Sequence, residues 1–175
     1  MVAPIALSRG IITTPDGSVR VSNVQVLGVD ERFWKLAPDF SHTPLGTRSM
    51  KKEFREWGPK VFFLNERLNQ RLKKEIGDRL ILRMEEPSLF SRDAPLSGER
   101  DNKFVTMNEE MGGVLPAEGF GHFGLQGNQR EPLTVFVSLE ALQKKLFRSF
   151  DQVSGTRKFA NFLLMGESGD GEIDM

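Results

Sequence analysis

The chain has 175 residues, with 24 basic and 24 acidic side chains, two histidines and no cysteine. That length suits one domain with a sizeable core, and 38% hydrophobic and 27% charged residues describe an ordinary globular composition. The missing cysteine excludes a disulfide framework, a thiolate nucleophile and a zinc–sulfur centre.

The N-terminus, "MVAPIALSRG", has neither a basic start nor an apolar block, which argues against a secretory signal. No apolar run reaches about 18 residues, so no membrane span is expected. An intracellular or virion location is the expectation. "IITTPDGSVRVSNVQVLGV" then predicts a β-hairpin. Ile11–Thr14 and Val19–Val29 are rich in β-branched residues, and Pro15-Asp16-Gly17-Ser18 supplies the turn. The alternation slips across Ser22-Asn23, where a β-bulge would absorb one residue. "ERFWKLAPDF" suits a short strand or one turn of helix, stopped by Pro38. "SHTPLGTRS" is a loop, and "MKKEFREWG" a short helix ending at Gly58.

The periodicity predicts a main helix over 59–76. Pro59 stands at its start and Gly77 just past its end. Val61, Leu64, Leu68, Leu72 and Ile76 form one apolar stripe about 120° wide. "RLILRMEE" reads as a strand, 87–102 as a long loop, and "KFVTMNEE" as another strand. The glycine-rich stretch 111–130 reads mostly as a loop. "LTVFVSLEALQKKLFRSFDQVSG" begins as a strand and becomes a second helix over 139–153, with Ser138 as N-cap. "RKFANFLLM" closes the fold as a strand or short helix. The expected class is α+β: a mostly antiparallel sheet of about five to seven strands, with the two amphipathic helices packed on it. Residues 1–165 form the domain, and 166–175 an acidic, glycine-rich tail.

Catalytic parts are scarce. His42 and His122 are the only imidazoles, and no Gly-x-Ser-x-Gly elbow is present. Asp30-Glu31, Glu85-Glu86 and Glu109-Glu110 are weak magnesium candidates and read better as solvated acidic edges. "GESGDG" lacks the Lys-Ser/Thr of a phosphate loop. No cofactor and no enzymatic activity are expected.

"EGFGHF", residues 118–123, resembles the Lys/Arg-Gly-Phe-Gly-Phe-Val pattern of the RNA-recognition motif, in which aromatics on a strand stack bases. Glu118 stands where that motif has a basic residue, and His122 where it has an aromatic one. The alternative is a glycine-rich loop with Phe120 and Phe123 tucked against the core.

The charge is unevenly laid out. Residues 48–83 carry +6, 85–131 carry −5, 132–165 carry +3 and the tail −4. On a helix over 59–76, Lys60, Arg67, Arg71 and Lys74 fall in one stripe about 60° wide and about 21 Å long. Lys51, Lys52 and Arg55 precede it, Arg79 follows, and Trp57, Phe62 and Phe63 could offer stacking surfaces. Such a stripe suits nucleic-acid phosphates, an acidic protein surface such as residues 85–131 of another copy, or water. The tail places Glu167, Asp170, Glu172 and Asp174 among glycines. In charge and glycine content it is similar to the acidic tails of single-stranded DNA-binding proteins, without the aromatic-rich end of the bacterial type. The combined expectation is a non-enzymatic binding and assembly protein, a subunit of a larger viral or phage-like complex, whose partners are proteins or its own copies. A single-stranded nucleic-acid binder with an acidic regulatory tail is the alternative.

Overall fold

The computed structural model describes residues 2–36, 60–85, 104–117, 120–124, 132–146 and 160–165. Its elements in chain order are β1 (Val2–Thr13), β2 (Arg20–Val29), α1 (Glu31–Lys35), β3 (Val61–Asn65), α2 (Glu66–Leu72), β4 (Arg79–Glu85), β5 (Phe104–Leu115), a 3-10 turn (Phe120–His122), β6 (Thr134–Ser138), α3 (Leu139–Leu146) and β7 (Phe162–Met165). The mixed, strand-rich class and a mostly antiparallel pairing are as expected. The open sheet is not. The strands run β2-β6-β3-β5-β4-β1, and β1 also pairs with β2, so six of them close into a barrel. β7 is added to β1 outside the closure. Among the described residues, only β2–β6 and β3–β5 are parallel.

The hairpin forms where the sequence places it. Thr14 N–H donates to the Val19 carbonyl at 3.1 Å, and Gly17, at φ 72°, closes the turn by donating to Thr14 O at 2.9 Å. The bulge forms as well. The register moves from Gly10↔Val24 to Ile12↔Val21, leaving one extra residue on β2, and Asn23 takes the left-handed conformation at φ 57°.

The helix expected over 59–76 is corrected. Its first third is strand β3, all five residues of which are buried. Val61, Phe62 and Phe63 favour an extended chain, and a strand walled on both faces reads as an unbroken apolar run. Helix begins only at Glu66. The Asn65 side chain caps it, accepting from Leu68 N–H at 3.0 Å. It ends at Lys73, whose left-handed backbone (φ 52°) lets its N–H reach Asn69 O at 2.6 Å. Leu68 and Leu72 are buried, but Ile76 lies beyond the helix and is 54% exposed.

The glycine-rich stretch is corrected in part. β5 runs on through Gly112 and Gly113 to Leu115. A side chain at either glycine would crowd Phe63 of the neighbouring β3 at 3.2–3.3 Å. Here glycine admits a large ring rather than breaking a strand. α3 starts as expected, with Ser138 Oγ accepting from Ala141 N–H at 3.3 Å. Residues 147–153 of that predicted helix, the loop 87–102 and the short helix before Gly58 lie outside the described residues.

Two apolar clusters explain the burial. One fills the barrel. All six of its strands contribute, with Ile12, Val26, Phe62, Leu82, Met107 and Val135 among the residues, and Leu68, Leu72, Leu142 and Leu146 of α2 and α3 pack into it. The other lies on the opposite face of β1, β2, β3 and β6, where α1 lays Phe33 and Trp34 over Ile5, Val29, Phe63 and Phe136. Asp30 caps α1, accepting from Arg32 N–H at 2.9 Å. The Phe33 ring is fully buried, 4.4 Å from Phe120, 5.1 Å from Trp34 and 5.4 Å from Phe123 between centroids. Burying such a ring contributes about 2–3 kcal/mol.

Candidate interaction surface

The structure divides the predicted basic stripe. Lys60 is exposed and precedes β3, so it is not on a helix. Arg67 and Arg71 sit one turn apart on α2, half-buried and exposed. Lys73 is the cap itself, a fourth cation that the helical projection left off the stripe, and Lys74 follows it. Among the described residues, none of Arg67, Arg71, Lys73 and Lys74 forms an ion pair. Arg71 and Lys73 at the C-terminal end of α2 complement its dipole. Arg79 opens β4 and is turned toward Glu110, at 3.8 Å. Both partners are at least half exposed, so that pair contributes little to stability. Lys51, Lys52, Arg55, Trp57 and the tail carboxylates Glu167, Asp170, Glu172 and Asp174 lie outside the described residues.

The basic segment 48–83 and the acidic segment 85–131 meet within one chain. β4 pairs antiparallel with β5, bringing Arg79 opposite Glu110, and Val61 of β3 lies opposite Glu110 on the other side. Burial pushes the carboxyl of Glu109 up, and the charges of Lys145 and Lys60 partly offset this. Part of the alternating charge is therefore satisfied inside the fold.

Among the described residues, the rings that were candidates for base stacking are occupied. Phe62 and Phe63 are 0% and 1% exposed. Phe120 and Phe123 pack on Phe33 and on each other, with centroids 5.3 Å apart. Phe123 O also accepts from Gln25 Nε2 at 3.2 Å. In the segment that resembles the RNA-recognition motif, Phe120–His122 thus form a 3-10 turn, and the rings of Phe120 and Phe123 lie against the core, as the alternative reading of "EGFGHF" has it.

Two features carry no strong sequence signal. Asn65 is 1% exposed and joins three elements. Its Nδ2 donates to Gly121 O at 3.0 Å and Pro132 O at 2.8 Å, and its Oδ1 accepts from Leu68 N–H and Thr134 N–H, both at 3.0 Å. The second is an apolar edge. Val2 is 44% exposed, Phe162 39%, Leu163 67% and Met165 77%, all on the β1–β7 pair. The uncharged run "FLLM" was the available clue.

Among the described residues no group of three or more histidines and carboxylates could hold a metal ion, and no helix is long and apolar enough to cross a membrane. No family model matches the chain, and no curated protein matches it. Among solved structures, the periplasmic region of MacB from Actinobacillus actinomycetemcomitans is similar at 13% identity and a TM-score of 0.44. The similarity covers 89% of this chain and 53% of that one, so the chain spans about half the length of that neighbour. It carries no argument about function.

Proposed function

We propose that the chain is a non-enzymatic binding and assembly module, a subunit of a larger complex. It works through surface contacts, with the basic residues around α2 meeting an acidic peptide such as its own tail. The observation that carries this reading is the set Arg67, Arg71, Lys73 and Lys74, four cations on and just past one short helix without an ion pair among the described residues. Two facts support it further. The barrel is filled by side chains from all six strands. The aromatic rings nearest the cations in sequence are buried, which weakens the single-stranded nucleic-acid alternative.

The test is fluorescence anisotropy with two labelled probes, the peptide GESGDGEIDM and a single-stranded oligonucleotide. Each is titrated with the full chain, a chain ending at Met165, and Arg67→Glu with Arg71→Glu. Peptide binding that weakens with salt, tightens without the covalent tail and is lost on charge reversal is the expected result. Oligonucleotide binding with a steep salt dependence would move the assignment to nucleic acid. Binding of neither probe would refute both.

A further inference from the structure

A closed barrel has no strand edges, and edges are where foreign strands add. This chain restores one. After closure, β7 pairs with β1 at Val2↔Met165 through Ile5↔Phe162 and has no further strand neighbour among the described residues. On its other side β1 pairs with β2 only from Ala6 onward, so Val2–Ile5 and β7 form a two-stranded extension of the barrel wall.

That extension has the opposite of a protected edge. Edge strands are usually blunted by charge, proline or a bulge. Phe162, Leu163, Leu164 and Met165 contain none of these, and only Leu164 is partly covered. The strand is held in register by Asn161. Its backbone N–H donates to Ile5 O at 3.1 Å, its Oδ1 accepts from Leu7 N–H at 2.7 Å, and its Nδ2 donates to Leu7 O at 2.8 Å. The edge is thus positioned as well as exposed.

We propose that β7 is a self-association edge: two copies pair antiparallel through β7 about a two-fold axis. The occupant is a second copy for two reasons. Antiparallel pairing about an axis through Leu163 is self-complementary. It sets Leu163 against its own copy and Phe162 against Leu164 on the other face, apolar on apolar. It also turns two two-stranded extensions, each marginal in water, into one four-stranded sheet. The patch exposes on the order of 400 Å² per copy. Two copies then bury at most about 800 Å², below the range of standard interfaces, so the dimer is weak and exchanges rapidly.

This inference does not use the cations around α2 and stands or falls apart from the proposed function. It is tested by sedimentation velocity on the full chain from about 1 to about 500 µM, a span chosen to bracket a weak interface. The wild type is expected to shift from monomer to dimer. Leu163→Glu, which sets like charges at the pairing, is expected to weaken the dimer by about tenfold or more. Leu163 is largely exposed, so an unchanged circular-dichroism melt confirms that this variant folds. Arg67→Glu with Arg71→Glu should leave the dimer unchanged. Hydrogen exchange at high concentration should slow the amides of 162–165. A monomer at every concentration would overturn the proposal and leave the edge to a different chain. A dimer indifferent to Leu163→Glu, or one whose protection maps away from β7, would overturn it as well.

Discussion

Replacing Asn65 tests whether the junction of β3, α2 and β6 rests on one side chain. Asn65→Ala removes four hydrogen bonds at once. It leaves Leu68 N–H, Thr134 N–H, Gly121 O and Pro132 O without their partner. At a net contribution near 1 kcal/mol per bond the loss is about 4 kcal/mol. The cap alone accounts for about 1 kcal/mol of it. With a urea m-value of about 2 kcal/mol/M, the unfolding midpoint should fall by about 2 M. Asn65→Asp sharpens the test. It keeps both accepting bonds but turns an oxygen toward two carbonyls that previously received N–H groups. Its folded-state pKa is therefore raised above the unfolded value of about 3.9. A raised pKa means that stability is present at low pH and lost as pH rises through the folded value. Urea melts of Asn65→Asp should approach wild type near pH 4 and fall away by pH 7. A loss below about 1 kcal/mol for Asn65→Ala, or a pH-independent Asn65→Asp, would refute the four-bond account.

Three further outcomes follow from single residues. Asn23 holds the bulge at φ 57°, so Asn23→Gly should be neutral or stabilising, whereas Asn23→Val should cost about 1–2 kcal/mol in chemical denaturation. Hydrogen bonds from Thr14 and Ser18 hold Asp16 at about 2, below its usual 3.8. A depressed pKa gives stability that is present above the unfolded value and lost as pH falls through the folded one, here between about 4 and about 2. Melting curves across that window should show a loss that Asp16→Asn does not share. The raised pKa of Glu109 has the opposite sign, since burial favours its neutral form. Glu109→Gln should be at least as stable as wild type at pH 7, with the difference closing as pH falls below the ordinary carboxylate range.

What could be read from the chain depended on how local the cause was. The β1–β2 turn was legible because Pro15, Asp16 and Gly17 specify it within a few residues, and the bulge because Val21 and Val24 break the alternation there. β3 was misread because period cannot separate a strand buried on both faces from a buried helix. Its aromatic and β-branched start, Val61-Phe62-Phe63, was the better guide. Gly112 and Gly113 imitated a loop because their cause, the ring of Phe63 on another strand, lies about fifty residues away in the chain. Barrel closure was not legible at all. It depends on β1 pairing with both β2 and β4, and its register with β4 joins residues about seventy positions apart.

The misreading of β3 also changes the electrostatics. On a continuous helix Lys60 and Arg67 would lie about 10 Å apart along the axis. With residues 61–65 extended, the chain carries Lys60 about 17 Å from Asn65 before α2 begins. Lys60 therefore belongs with Glu109 and Lys145 near the start of β3, and Arg67, Arg71, Lys73 and Lys74 belong together at its other end. One stripe has become two separate fields, and sites that far apart act independently. Lys60→Glu should therefore raise the pKa of Glu109 further, visible by NMR titration, and leave binding of the acidic peptide almost unchanged. Arg67→Glu with Arg71→Glu should do the reverse. If Lys60→Glu weakened the peptide as much as the α2 pair does, the two fields would have to be one surface, and β3 would have to be helical after all.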